Sequence, residues 1–183
     1  MAQVGRTFLH WVRAISIELL VLLGVLLSRF IPMRETVQGN GRPILLVHGY
    51  MNHGSVWRFA KKRLEALGLG PIYTINLGHP FRSIRSYAEK VKEQAEKIAK
   101  QTGRKDLVLI GHSMGGLVSL CYAMQLAPSA ATTDIITIGS PLLGTPMARL
   151  GLGLNAREMR PCSPFLTELH QAIYESKEIR LYH

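Results

Sequence analysis

Four short apolar runs recur along the chain, at Ile44–Val47, Ile72–Ile75, Leu107–Ile110 and Ile135–Ile138, with a fifth at Ile179–Tyr182. Each of the first four is strand-length, and none of those four alternates polar with apolar residues, the pattern of strands buried on both faces; the fifth is a last strand candidate. Between them the hydrophobic period changes to that of a helix. From Ser86 to Lys100, Tyr87, Val91, Ala95 and Ile98 share one face, while Glu93–Lys97 and Glu96–Lys100 are spaced to pair at i,i+4 outside. Ser86 with Glu89 reads as a capping box, and Gly103 as the stop. Further helices are expected over Ser55–Leu67, over Met114–Leu126 before Pro128, and within "SPFLTELHQAIYE", Ser163–Glu175.

Short apolar strands alternating with helices predict an α/β fold, a mostly parallel sheet with helices on both faces. "VQGNGRP", Val37–Pro43, is a turn-rich linker. It divides the chain into an N-terminal segment, residues 1–36, and a sheet domain, residues 44–183. In such sheets chemistry collects at the carboxyl ends of the strands.

The N-terminal segment changes the picture. "AISIELLVLLGVLLSRFI", Ala14–Ile31, has no polar side chain from Leu19 to Leu27 and carries Arg13 and Arg29 near its ends. It predicts an uncleaved, single-pass transmembrane helix, since the exit lacks the small residues of a signal-peptidase site. Arginines flank both sides, so the side of the membrane on which the sheet domain lies stays open. The balance of 22 Lys+Arg against 12 Asp+Glu gives +10, which favours anionic surfaces. No nucleic-acid-binding signature accompanies that charge, so a membrane partner is expected and a nucleic acid is not. Cys121 and Cys162 form neither a disulfide framework nor a metal motif.

Two loops carry candidate chemistry. Gly111-His112-Ser113-Met114-Gly115 fits the G-x-S-x-G nucleophile elbow, lying between "LVLI" and an apolar helix start. At such a corner the serine takes a strained backbone so that its hydroxyl points outward, and the flanking glycines leave room for neighbouring backbone. "LLVHGYMNHGSVW", Leu45–Trp57, follows the first strand. The backbone N–H of Tyr50, together with that of Met114, could bind the oxyanion of a tetrahedral intermediate. His48 is expected to shape this loop through hydrogen bonds.

"PILLVHGYMNHGSVW", "LVLIGHSMGGLVSL" and "ITIGSPLLGTPMA" together resemble a bacterial lipase/esterase branch of the α/β-hydrolase superfamily. "GLGLNAREMRPCSPFL", Gly151–Leu166, resembles the stretch that follows in the same branch and is a candidate lid or pocket wall. The resemblance spans roughly Pro43 to Leu181. It implies hydrolysis of acyl or lipid esters by a Ser-His-Asp triad with Ser113 as nucleophile, a Tyr50/Met114 oxyanion hole, and neither metal nor cofactor. With the predicted anchor, it also implies a location in a bacterial inner membrane.

The triad's other members are not legible. In this fold the acid and then the histidine follow the serine. The only aspartates, Asp106 and Asp134, each stand just before a strand, and so at the amino edge, opposite Ser113. His170 falls in a helix; His183 is at most a makeshift base; His112 is turned away by the elbow; His53 and His79 occupy loops at the correct edge. Glu158, Glu168, Glu175 and Glu178 are available acids that no spacing selects. The sequence therefore reads as a hydrolase domain incomplete at its C-terminus, stopping before both partners. Two functions follow: a membrane-anchored serine ester hydrolase, or an impaired hydrolase remnant serving as a lipid- or acyl-binding or interaction module.

Overall fold

Alternate residues of the first strand, β1 (Ile44–Val47), feed two different cores. Leu45 and Val47 enter the larger, Ile44 and Leu46 the smaller, and all four are buried. That division is the period-2 geometry of a strand covered on both faces. A computed structural model describes residues 39–127, 133–176 and 180–183, which belong to one compact unit. The predicted transmembrane segment lies outside the described residues; among those described, no helix is long and apolar enough to cross a membrane.

Along the chain β1 is followed by α1 (Arg58–Ala66), β2 (Ile72–Ile75), α2 (Ile84–Thr102), β3 (Leu107–His112), α3 (Met114–Gln125) and β4 (Thr133–Ile138). Then come α4 (Leu154–Glu158), α5 (Pro164–Glu175) and β5 (Arg180–Tyr182). The sheet order is β2-β1-β3-β4-β5 and every pairing is parallel. Residues of α2, α3 and α5 build the larger core with Leu45, Tyr73 and Leu109. Ala60 and Leu64 of α1 pack on the smaller, around Trp57 and Leu46. This is the expected α/β architecture with helices on both faces.

Local details differ from the sequence reading in four places. The cap of α2 is Ser83, whose Oγ accepts from the Ser86 amide at 3.1 Å; Ser86 is already inside the helix, which starts at the fully buried Ile84. Gly103 does end it, with φ 68° and its amide on the Ala99 carbonyl. Neither Glu93–Lys97 nor Glu96–Lys100 closes to ion-pair distance; among the described residues the i,i+4 pair that forms is Lys61–Glu65, at 3.7 Å. The helix expected over Ser55–Leu67 is a 3-10 turn, Gly54–Trp57, capped by His53, followed by α1.

Asp134 lies within β4 rather than ahead of it. Its burial is tolerated because Arg42 bonds it from beside β1 and Arg180 Nε stands 2.6 Å from it in β5. Arg42 also reaches Asp106 at 3.2 Å, so both aspartates sit at the amino edge.

Candidate active site

Ser113 occupies the corner between β3 and α3 with φ 53° and ψ −124°, a region that side-chain-bearing residues rarely enter. Such a conformation costs on the order of 1–3 kcal/mol and persists only where its surroundings enforce it. They do so here. The Ser113 amide donates to the Ile138 carbonyl at the end of β4, 2.9 Å away. A Cβ at Gly111 would come within 2.5 Å of the Gly115 and Gly116 backbone, and one at Gly115 within 2.7 Å of the His48 carbonyl oxygen. The glycine spacing is thus a steric requirement of helix, turn and strand meeting backbone to backbone. Gly116 is also crowded, though by side chains: a Cβ there would meet Ser140 Oγ and Cβ and Thr137 Cγ2, and its only sequence signal was the Gly-Gly doublet.

The loop after β1 meets this corner. β1 and β3 are adjacent and parallel, so both loops emerge at the carboxyl rim. A Cβ on Gly49 would lie 3.1 Å from both Ser113 Cβ and the His112 carbonyl oxygen. Two backbone amides follow these contacts, that of Tyr50 and that of Met114, the first residue of α3. Neither donates to a carbonyl among the described residues. The Met114 amide also belongs to the positive end of a 12-residue helix.

His48 holds the loop in shape. Its Nε2 accepts from the Leu77 amide at 3.1 Å, which fixes the proton on Nδ1 for donation to the Gly49 carbonyl at 2.9 Å. Both ring nitrogens are therefore engaged with backbone. His112 meets Trp57 edge-on, ring centroids 6.5 Å apart.

The stretch Gly151–Leu166 lies against the same rim. Tyr50 Oη donates to the Leu152 carbonyl and accepts from the Leu152 amide, both at 2.9 Å. Asn155, fully buried, donates from Nδ2 to the Pro80 carbonyl at 2.8 Å and approaches Met114 Sδ at 3.4 Å. Sequence reasoning missed Asn155 altogether, because its partners lie 41 and 75 residues away and leave no local pattern.

No histidine or carboxylate among the described residues hydrogen-bonds the Ser113 hydroxyl. His53 caps the 3-10 turn, and His79 Nδ1 accepts from the Phe81 amide at 3.4 Å. His170 Nε2 pairs with the Leu142 carbonyl at 2.8 Å, and His183 Nδ1 with Thr137 Oγ1 at 2.7 Å. Glu158 accepts from the Ile84 amide at 2.6 Å at the start of α2, Glu168 pairs with Arg85, and Glu175 with Gln171. Glu178 lies outside the described residues. Burial pushes the Glu158 carboxyl above its ordinary value, and pushes the Cys121 thiol up to about 12, a packing residue rather than a nucleophile. Among the described residues no cluster of three His, Cys, Asp or Glu side chains could hold a metal ion.

A model of the alpha/beta hydrolase family matches residues 44–178. The chain belongs to that family. Its similarity runs to lipases and esterases. It is 28% identical over 104 residues to a pimeloyl-[acyl-carrier protein] methyl ester esterase of Vibrio atlanticus (strain LGP32), covering 57% of this chain and 38% of that protein. It is 29% identical over 123 residues to a triacylglycerol lipase of Pseudarthrobacter phenanthrenivorans, covering 62% and 37%. Among solved structures, the mature Bacillus licheniformis lipase BlEst2 superposes with a TM-score of 0.64 at 18% identity, over 80% of this chain and 65% of that one. The chain thus spans little more than a third of the length of these curated relatives.

Proposed function

We propose that the protein hydrolyses carboxylic esters of acyl or lipid type, with Ser113 as nucleophile and the amides of Tyr50 and Met114 as oxyanion donors. Ser113 Oγ bonds to the ester carbonyl carbon, the carbonyl oxygen takes up the negative charge, and the two amides hold it. The ester C–O bond then breaks, the alcohol leaves with a proton, and water releases the acid from the acyl-serine. The observation carrying this reading is the strained Ser113 backbone at the carboxyl end of β3, with Gly49 packed against its Cβ. The glycine clashes at Gly111 and Gly115 give that strain a structural cause.

The proton of the Ser113 hydroxyl needs a base. Since none of the described side chains bonds to that oxygen, a second reading has a specific observation behind it: the same rim binds acyl or lipid groups without turnover. An activated serine typically owes several powers of ten in rate to its triad partners.

A fluorophosphonate probe separates the two. Ser113 Oγ bonds to phosphorus and fluoride leaves, so labelling of the wild-type chain but not of Ser113→Ala supports the hydrolase. Folded protein that takes up no label favours the binding module.

The run Ala14–Ile31 is proposed as a single-pass anchor, in a bacterial inner membrane, for its apolar stretch Leu19–Leu27 set between Arg13 and Arg29. Retention in the membrane pellet through an alkaline carbonate wash is the expected result; release into the supernatant would remove the anchor.

A further inference from the structure

The carboxyl rim has a second property, which the ester-hydrolase reading does not use. Large apolar side chains stand in water there: Leu143 and Leu150 are each 80% exposed, Met147 69% and Leu152 68%, with Leu154 and Met51 more than half exposed. Single exposed apolar side chains are ordinary, but several large ones on the loops of one rim are the mark of an interaction surface.

Hydrogen bonds tie down the segments that carry most of these residues. The Leu150 amide donates to the Met147 carbonyl, Thr145 to Met159, and Leu154 to Phe81, while Tyr50 clamps Leu152 from the loop that carries Met51. These bonds order the backbone around Met147, Leu150, Leu152 and Leu154.

Charge on this rim is of one sign. Residues 48–57, 76–83 and 139–157, which form its loops, contain no Asp or Glu. They carry Arg82, Arg149 and Arg157, all exposed, and none of these is in an ion pair among the described residues. Beyond that stretch, Glu158 turns inward to the Ile84 amide. The aspartates lie at the other edge, already paired with arginines. Two copies of such a face would repel one another, which disfavours self-association. An apolar surface whose loops also carry exposed arginines complements an anionic lipid interface.

We propose that the surface bearing Met51, Leu143, Met147, Leu150 and Leu152 docks on a bilayer rich in anionic phospholipid. Docking brings the Ser113 rim to the lipid surface but does not require Ser113 to react, so it stands or falls separately from the ester-hydrolase reading. The N-terminal run alone would hold the full chain on vesicles, so the test reads the environment of this face. In a Cys162→Ser background of the full chain, Leu150→Cys carries an environment-sensitive nitrobenzoxadiazole label, and Lys97→Cys on α2 carries the same label as reference.

With vesicles of phosphatidylglycerol and phosphatidylcholine, the label at position 150 is expected to shift to the blue and be quenched by doxyl lipids. The label at position 97 stays in water. Ser113→Ala retains the shift, and Arg149→Glu with Arg157→Glu raises the anionic lipid needed for it by on the order of tenfold or more. A label at position 150 that stays in water on anionic vesicles overturns the proposal, as does an equal shift on pure phosphatidylcholine. A shift without vesicles that grows with protein concentration also overturns it, in favour of a second copy as the occupant.

Discussion

Gly115 and Val47 meet with no room for a side chain between them: a Cβ on Gly115 would collide with the Val47 carbonyl oxygen and lie 2.7 Å from that of His48. Every atom in the way belongs to backbone, so nothing can swing aside. Gly115→Ala is expected to destabilise the fold by about 1–3 kcal/mol or more. Urea unfolding checks this, and Gly103→Ala separates the two causes a glycine can have. Gly103 has open space around it and only a positive φ, 68°, so its cost is the smaller, about 1 kcal/mol.

Ser113 stores strain that its surroundings enforce. Ser113→Gly relieves it, against the greater freedom of glycine in the unfolded chain, and a net gain of about 1 kcal/mol is expected. Ser113→Ala keeps a Cβ and the same φ, so it shows no such gain. Thermal unfolding of the two variants side by side is the measurement; equal stabilities would mean the corner is unstrained.

The four buried strands and the glycine-flanked corner between β3 and α3 were legible because each follows from a local rule. An apolar run of four residues between turn signals has no place but a covered sheet, and Gly111 and Gly115 mark steric limits close to Ser113. The cap of α2 misled because Ser86 and Glu89 offer the same signature as a true cap, while Ser83 stands three residues earlier with its own serine oxygen. The start of β4 misled for a different reason. A polar Asp134 argues against a strand unless its counter-charges are known, and Arg42 and Arg180 stand 92 and 46 residues away. Asn155 and the Tyr50–Leu152 pair are likewise long-range, and no spacing announces them.

Arg42 is the hub of the amino edge, bonding Asp106 and Asp134 together, with its side chain 30% exposed. Arg42→Met leaves Asp134 with Arg180 alone, in a site where its side chain is 12% exposed. Because water reaches the edge and Arg180 remains, the expected cost is about 1–3 kcal/mol, below that of stripping a fully buried pair. Asp134→Asn added to Arg42→Met should recover part of the loss, which a double-mutant cycle in urea reads directly.

Glu158 gives a pH signature of defined sign. Burial raises its folded value above the ordinary one, more than the Ile84 amide lowers it. The folded state then binds more protons than the unfolded state between the ordinary carboxyl value and the raised one. Its contribution to stability is greatest below that window, falls as pH rises through it, and is flat above. Glu158→Gln keeps an acceptor for the Ile84 amide and removes the slope. Urea midpoints of the two proteins should therefore converge as pH is lowered. Asp106, held low chiefly by its hydrogen bond to Arg104, has the opposite sign and acts in a lower window, losing its contribution as pH falls. A wild-type minus Glu158→Gln difference that does not change with pH would show that the carboxyl is not perturbed.

Tyr50 joins two roles in one residue: its amide is the proposed oxyanion donor, and its hydroxyl fixes Leu152 by two hydrogen bonds. Tyr50→Phe keeps the amide and the ring but unties the segment. A carbonyl and an amide of Leu152 lose their partner at an exposed position where water can replace it, so the stability cost is small, about 1 kcal/mol. Its effect on the site is expected to be larger than its effect on the fold. The loop bearing the amide is freed from one of its tethers, and oxyanion stabilisation depends on that amide being held in advance. A drop of about tenfold in the rate of fluorophosphonate labelling at Ser113 is the expected outcome, with an unfolding midpoint shifted only slightly. Unchanged labelling in Tyr50→Phe would show that the clamp serves the surface alone and not the oxyanion loop.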